Sequence, residues 1–178
     1  MNGQSEVTVE APHPGLPLHG AGGQHPGMST QPAQYPPLIP GLAIRHAAQA
    51  IEFYQAAFGA VELYRLIDPE SGKIGHAEIT INGSLIMLAD EYPAFNKSPE
   101  TLGGSPIRLC LMVEDVDAAT ERARAAGATI TRPPADQFYG HRSACVLDPF
   151  GHEWLIQHEF EQVPPAEMQR RWDAMVKK

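Results

Sequence analysis

Basic residues are scarce in this chain: 13 Lys and Arg stand against 21 Asp and Glu over 178 residues, a formal charge of −8. No basic block offers an electrostatic footprint for nucleic acid or an anionic membrane, so neither is expected as a partner. Cysteine is scarce too. Cys110 and Cys145 are too few for a disulfide scaffold or a Cys-rich zinc site, and a reducing cytoplasm is the expected compartment. No apolar run reaches the roughly 20 residues of a membrane-spanning helix. The first Lys or Arg is Arg45, so the positive start of a secretory signal is missing and none is expected. A Gly-rich phosphate loop and a Gly-x-Ser-x-Gly nucleophile elbow are also missing. What remains is 43% hydrophobic and 19% charged, enough apolar material for one packed domain.

That material is unevenly spread. Residues 1–40 hold eight of the 17 prolines and six of the 16 glycines, with too few large apolar side chains to offset the entropy of ordering. Residues 1–37 therefore read as a flexible leader, and its His13, His19 and His25 as incidental. From Leu38 the texture changes. A short strand over 39–44 precedes a helical stripe of Ala47, Ile51, Tyr54 and Phe58, ended by Gly59. Strands follow over 61–67, 74–81 and 84–89, the last two joined at Asn82-Gly83, a strong hairpin signal. In the middle strand Gly75, Ala77, Ile79 and Ile81 share one face, and His76, Glu78 and Thr80 the other.

The pattern then recurs. A strand over 107–113 has Ile107, Leu109 and Leu111 on one face and Arg108, Cys110 and Met112 on the other. Asp115 can cap a helix that runs to Ala126 before Gly127. Strands over 129–132, 142–147 and 153–158 complete the unit, with Tyr139, His141 and Arg142 at the loop entering the second. Gly59 and Gly127 lie 68 positions apart, as do Gly83 and Gly151. One offset for two punctuating glycines implies two copies of a β-α-β-β-β module, over 38–92 and 105–160, with a linker over 91–105. The fold class is α+β. Residues 161–178 read as a separate C-terminal helix whose Met168, Trp172 and Met175 share a side.

These residues resemble a known family. Ala-Ile-Glu-Phe-Tyr at 50–54 and Ala-Phe-Gly-Ala at 57–60 are similar to the first helix of the vicinal oxygen chelate superfamily. Glu-Asp-Val-Asp at 114–117, Ala-Ala-Gly-Ala at 125–128 and Asp-Pro-Phe-Gly-His at 148–152 resemble its second half. Gly-His-Ala-Glu at 75–78 and Asp-Gln-Phe-Tyr-Gly at 136–140 resemble its glyoxalase/bleomycin-resistance-like, or PhnB-like, branch. The resemblance covers residues 38–160. It implies two modules forming a curved, open mixed sheet around a ligand cleft, and pairing as a homodimer. Because the superfamily includes lyases, isomerases, dioxygenases and drug-sequestering proteins, it does not fix the chemistry.

Metal-dependent relatives hold one divalent ion with His and Glu from four strands. Carried onto this chain, those positions are Ile39, Met87, Arg108 and Leu155. None is an ordinary ligand, and Arg is a fixed cation, so no metal and no cofactor is expected. The expected occupant is a small aromatic, amphipathic or weakly acidic molecule in a largely apolar cleft. Met87, Met112 and Leu155 would line it, with Glu153 beside them. Arg108 is either a fork for a carboxylate, phosphate or phenolate, or the ion-pair partner of Glu153. Tyr139 would stack on a ligand or pack its own loop. His76 and Glu78, two apart on one face, are either an acid/base pair or part of a solvent-facing or dimer-facing strand, since imidazole titrates near neutral pH. Trp154 reads as core, His152 as a turn residue and Cys110 as a small buried residue. Two alternatives stay open: a lyase, isomerase or dioxygenase with a displaced metal on His76, Glu78 and Glu153, and an interaction protein using its leader and last helix.

Overall fold

A computed structural model of the chain describes residues 35–177. The expectations for residues 1–34, including the three leader histidines, lie outside the described residues. Strand β1 (Gly41–Ile44) is followed by helix α1 (Ala47–Phe58) and strands β2 (Val61–Ile67), β3 (Ile74–Ile81) and β4 (Ser84–Asp90). A short helix α2 (Pro99–Leu102) leads to β5 (Arg108–Met112), α3 (Val116–Ala125), β6 (Thr129–Asp136), β7 (His141–Leu147) and β8 (Glu153–Glu159), and α4 (Pro165–Val176) ends the chain. The two β-α-β-β-β modules are thus present. Their sheets run β1-β4-β3-β2 and β5-β8-β7-β6, each with one parallel pair, β1 with β4 and β5 with β8. Among the described residues no ladder joins the two sheets.

The halves meet through their helices. α1 turns Gln49, Glu52 and Gln55 to solvent and buries an apolar face, on which Ala47, Ala50, Ile51, Tyr54 and Ala57 are inaccessible to solvent. Its aromatic side chains reach into the second half: Phe58 and Tyr54 pack on Trp154, and Phe53 on Phe150. Asp148 fixes this junction. Its carboxylate accepts from the Tyr54 hydroxyl at 2.9 Å, the Trp154 indole at 3.0 Å and the amides of Phe150 and His152, both at 2.9 Å. Burial and the neighbouring charge of Asp148 push the Tyr54 hydroxyl well above the usual tyrosine range.

Polar side chains also set the helix starts. Asp115 accepts from the Ala118 amide, as its place before an apolar run predicts. α1 has no such residue of its own: His46 precedes it in the left-handed region at φ 62°. Asp90, at the end of β4, instead accepts from the Ala47 and Ile74 amides at 2.9 and 2.7 Å.

Alternation along the strands holds as read. Ala77, Ile79, Ile81, Ile86, Leu88, Leu111, Ala144, Val146, Trp154 and Ile156 belong to the core, while His76, Glu78, Met87, Arg108, Met112 and Leu155 alternate with them on the opposite faces. Four local readings change. Ile107 precedes β5 and is exposed rather than core-facing. Cys110 is exposed, and Cys145 is the buried thiol. The linker contains α2, capped by Ser98, whose hydroxyl accepts from the Thr101 amide. β6 runs on through Pro133-Pro134, because an edge strand can tolerate missing donors.

α4 buries none of its residues completely. Arg171, paired with Glu167 inside the helix, ties α4 to Glu161 and the Phe138 carbonyl, and the Trp172 ring lies 5.4 Å from that of Phe138. Gly140 makes the preceding turn at φ 83°, where a Cβ would stand 2.1 Å from the Glu161 carbonyl oxygen. Gly140→Ala should therefore cost about 2–4 kcal/mol in a urea melt, through left-handed strain and displacement of the segment before α4. A loss below about 0.5 kcal/mol, the range of an ordinary surface change, would mean this turn does not hold that segment.

Candidate functional site

The open face of the first sheet carries the most unusual polar group in the molecule. Glu78 is fully buried, at 0% exposure, yet it points away from the helix-facing core residues Ala77 and Ile79. The register brings its neighbours in. Glu78 stands opposite Tyr64 on β2 and Met87 on β4, and Met87 in turn opposes Gly41 on β1. The Tyr64 hydroxyl donates to Glu78 Oε1 at 2.8 Å. Tyr35, just ahead of the first strand, donates to the same oxygen at 2.9 Å. His76 Nε2 lies 3.4 Å from it. Glu78 Oε2 is buried with no hydrogen-bond partner among the described residues.

The surroundings act on the tyrosines. Burial, then the hydrogen bond to Glu78, raises the Tyr64 hydroxyl above the ordinary tyrosine value; for Tyr35 the hydrogen bond to Glu78 is the larger cause. Both rings therefore stay protonated at neutral pH and act as donors. An acceptor that is held, desolvated and half unsatisfied is the arrangement expected where another donor is to bind, since such an atom otherwise costs about 1–3 kcal/mol.

His76 connects this cluster to a hollow of about 670 Å³ lined by Leu66, Ile67, His76, Tyr92, Phe95 and the turn at Asp68-Pro69-Glu70. Leu66, Ile67 and Phe95 expose large apolar side chains there. The Tyr92 hydroxyl is buried without a partner among the described residues, and Lys73 Nζ sits 5.1 Å over the Tyr92 ring while donating to the Glu91 carbonyl. Asp68 is held below the usual carboxylate range by the Ser71 and Glu70 amides.

The second sheet's open face is differently built. Arg108 Nη2 contacts Glu153 Oε2 at 3.0 Å, with the side chains 45% and 31% exposed. The ion-pair alternative for Arg108 is thus the one the geometry supplies. The pair is screened by water and contributes at most about 1 kcal/mol. Leu155 stands between Cys110 and Cys145 in register, and Met112 opposes Gln157. Tyr139 Oη is 3.4 Å from Ser143 Oγ, which also accepts from Arg132 at 3.2 Å.

Of the predicted site residues, His76, Glu78 and Met87 come together on the first sheet. Arg108, Met112, Glu153, Leu155 and Tyr139 belong to the second half. The displaced metal set of His76, Glu78 and Glu153 is not brought together as three converging ligands among the described residues, and Glu153 instead contacts Arg108. Among the described residues no three His, Cys, Asp or Glu side chains converge as a ligand set. The superfamily's own metal positions do not fit an ion by donor chemistry: Ile39, Met87 and Leu155 offer no hard donor, and Arg108 is a cation. Tyr35, Tyr64, Tyr92 and Phe95 are new to the site. Tyr64 is readable in principle as the cross-strand partner of Glu78 once the β2–β3 register is known.

His152 at the β7–β8 turn is buried. Burial lowers its imidazole below the usual 6.5, against the raising influence of Asp148. The unfolded chain then takes up a proton at higher pH than the folded chain does. Stability should therefore fall as pH drops through about 6.5 toward the folded value, by no more than about 1.4 kcal/mol per pH unit. Urea melts at pH 7.5 and 5.5 should show a smaller acid loss in His152→Gln; an unchanged difference would remove His152 as its source.

Fold, modules and motifs define the class: the chain belongs to the Glyoxalase/Bleomycin resistance protein/Dioxygenase superfamily, whose family model matches residues 39–156. An uncharacterized protein of Mycobacterium tuberculosis is 44% identical over 138 residues, covering 75% of this chain and 81% of that one. Among solved structures, TioX from Micromonospora sp. ML1 is 28% identical with a TM-score of 0.54, covering 71% of this chain and 98% of TioX. The PhnB protein from Bacillus cereus, at 18% identity and a TM-score of 0.54 over 69% of this chain and 99% of that one, shares the fold. No described helix is long and apolar enough to cross a membrane.

Proposed function

We propose that this protein binds a small molecule on the open face of the first sheet, without the superfamily's usual metal, and works in the cytoplasm as a homodimer. The observation that carries the binding reading is Glu78: a fully buried carboxylate with one oxygen unpartnered among the described residues, on the sheet face turned away from the helices, with its neighbour His76 lining an apolar hollow. A core-facing carboxylate would be explained by packing alone, but this one alternates with the core residues. The acidic ligand suggested by Arg108 is the weaker reading, because Glu153 already neutralises that guanidinium. Pairing is supported by the second sheet, whose open face exposes Met112, apolar area that a second copy would cover. Light scattering should give twice 19.4 kDa; a monomer mass at micromolar concentration would refute the dimer.

The binding reading is tested by an amide-resolved NMR screen of small aromatic fragments of mixed charge. Hits should shift the amides of Leu66, His76, Glu78 and Tyr92. Hits confined to the second sheet, around Arg108, Met112 and Leu155, would move the site there and leave Glu78 structural.

A further inference from the structure

The ligand class follows from the charges around Glu78, given the site proposed above, on which this step rests. Two carboxylates border the hollow, Asp68 and Glu70 at the turn, and a third, Glu78, is outside its lining but 3.4 Å from the Nε2 of the lining residue His76. Facing them are His76 and Lys73, and Lys73 is already engaged by the Glu91 carbonyl and the Tyr92 ring. The walls are the exposed apolar side chains Leu66, Ile67 and Phe95, with the rings of Tyr64 and His76 5.7 Å apart beside the carboxylate. A carboxylate flanked by aromatic rings is the chemistry that holds an organic ammonium, through a charge-assisted hydrogen bond and the negative faces of the rings. An anion would meet three carboxylates, and a neutral molecule would leave the charge of Glu78 unused.

Access is the remaining question, since neither oxygen of Glu78 reaches solvent. Tyr35 is its half-exposed cover, at 47%, and it precedes every strand of the sheet. Its hydroxyl is the chain's own donor on Oε1. We infer that a small arylalkyl amine occupies the hollow beside Leu66, Ile67 and Phe95, its ammonium bound by Glu78 in place of the Tyr35 hydroxyl. Tyr64 and His76 then keep the carboxylate oriented while Tyr35 moves aside.

The test uses the full chain at pH 7 and three probes of one shape: benzylamine, benzyl alcohol and benzoate, titrated against amide NMR spectra. Benzylamine should shift the Leu66, Gly75, His76, Glu78 and Tyr92 amides and bind about tenfold or more tighter than either analogue, as a charged hydrogen bond predicts. Glu78→Gln should lose that preference. Tyr35→Phe, which removes the competing hydroxyl, should bind benzylamine several-fold tighter. Should Glu78→Gln fail to fold, the probe ranking and Tyr35→Phe still decide. If benzyl alcohol or benzoate binds at these amides as tightly as benzylamine, the amine assignment is wrong while the site stands. If none of the three moves them, both are wrong. If Tyr35→Phe weakens binding, Tyr35 is part of the site and not its cover.

Discussion

Asp148→Ala should lower the stability of the fold by about 3–5 kcal/mol, the largest single loss expected from a polar substitution in this chain. The carboxylate is almost fully buried and accepts four hydrogen bonds, from Tyr54, Trp154, Phe150 and His152. Its removal leaves a hydroxyl, an indole N–H and two amides in an apolar junction, each worth about 1–3 kcal/mol when stranded. Because Tyr54 is on α1 and the other three belong to the second module, the loss falls on the contact between the halves. The melting temperature should drop by roughly 10 °C at this chain length. Tyr54→Phe, which removes one bond and keeps the ring on Trp154 and Phe58, should cost about 1 kcal/mol. A loss below 1 kcal/mol for Asp148→Ala would mean that aromatic packing alone joins the modules.

Glu78→Leu should act in the opposite direction on stability. A buried carboxylate with one unpartnered oxygen is a cost to the fold, and an apolar side chain of similar volume removes it. Tyr64 and Tyr35 keep partial exposure, so their hydroxyls can turn to water. The variant should gain about 1–2 kcal/mol in a denaturant titration and lose all response to benzylamine. Stability gained as binding is lost marks a group kept for function. A variant destabilised by more than 2 kcal/mol would identify Glu78 as a structural anchor for the two tyrosines instead.

The strand alternation in the sequence already separated the two faces correctly. Ala77 and Ile79 against His76 and Glu78, and Trp154 and Ile156 against Glu153 and Leu155, follow from a period of two residues and the need to bury one face. The 68-residue spacing of the glycines worked for a similar reason: Gly59 takes up a left-handed helix end, and Gly83 and Gly151 sit at positive φ in the two hairpin turns. The reading of Cys110 failed because period-two logic places a residue on a face without saying what covers that face. Cys110 and Cys145 share the open side, but only Cys145 is overlaid.

The site was half legible. His76 and Glu78 were visible as a polar pair on one face, but burial of Glu78 depends on Tyr64 from a neighbouring strand and Tyr35 from ahead of the first strand. Those contacts span 14 and 43 residues, and no local pattern encodes them. Tyr35 falls in the stretch that reads as a leader, flanked by Pro32, Pro36 and Pro37, and composition cannot register a single side chain that returns to the sheet. Arg108 stood out for the opposite reason: its charge is conspicuous in sequence, while its pairing with Glu153 emerges only from the β5–β8 register.

A crystal structure of the full chain with benzylamine at millimolar concentration puts the role of Glu78 to the most direct test. The amine nitrogen should lie about 2.7–3.2 Å from a Glu78 carboxylate oxygen, with the ring against Leu66 and Phe95 and the Tyr35 hydroxyl withdrawn. Benzylamine bound at the Arg108–Glu153 pair, or a Tyr35–Glu78 hydrogen bond left intact beside an empty hollow, would contradict it.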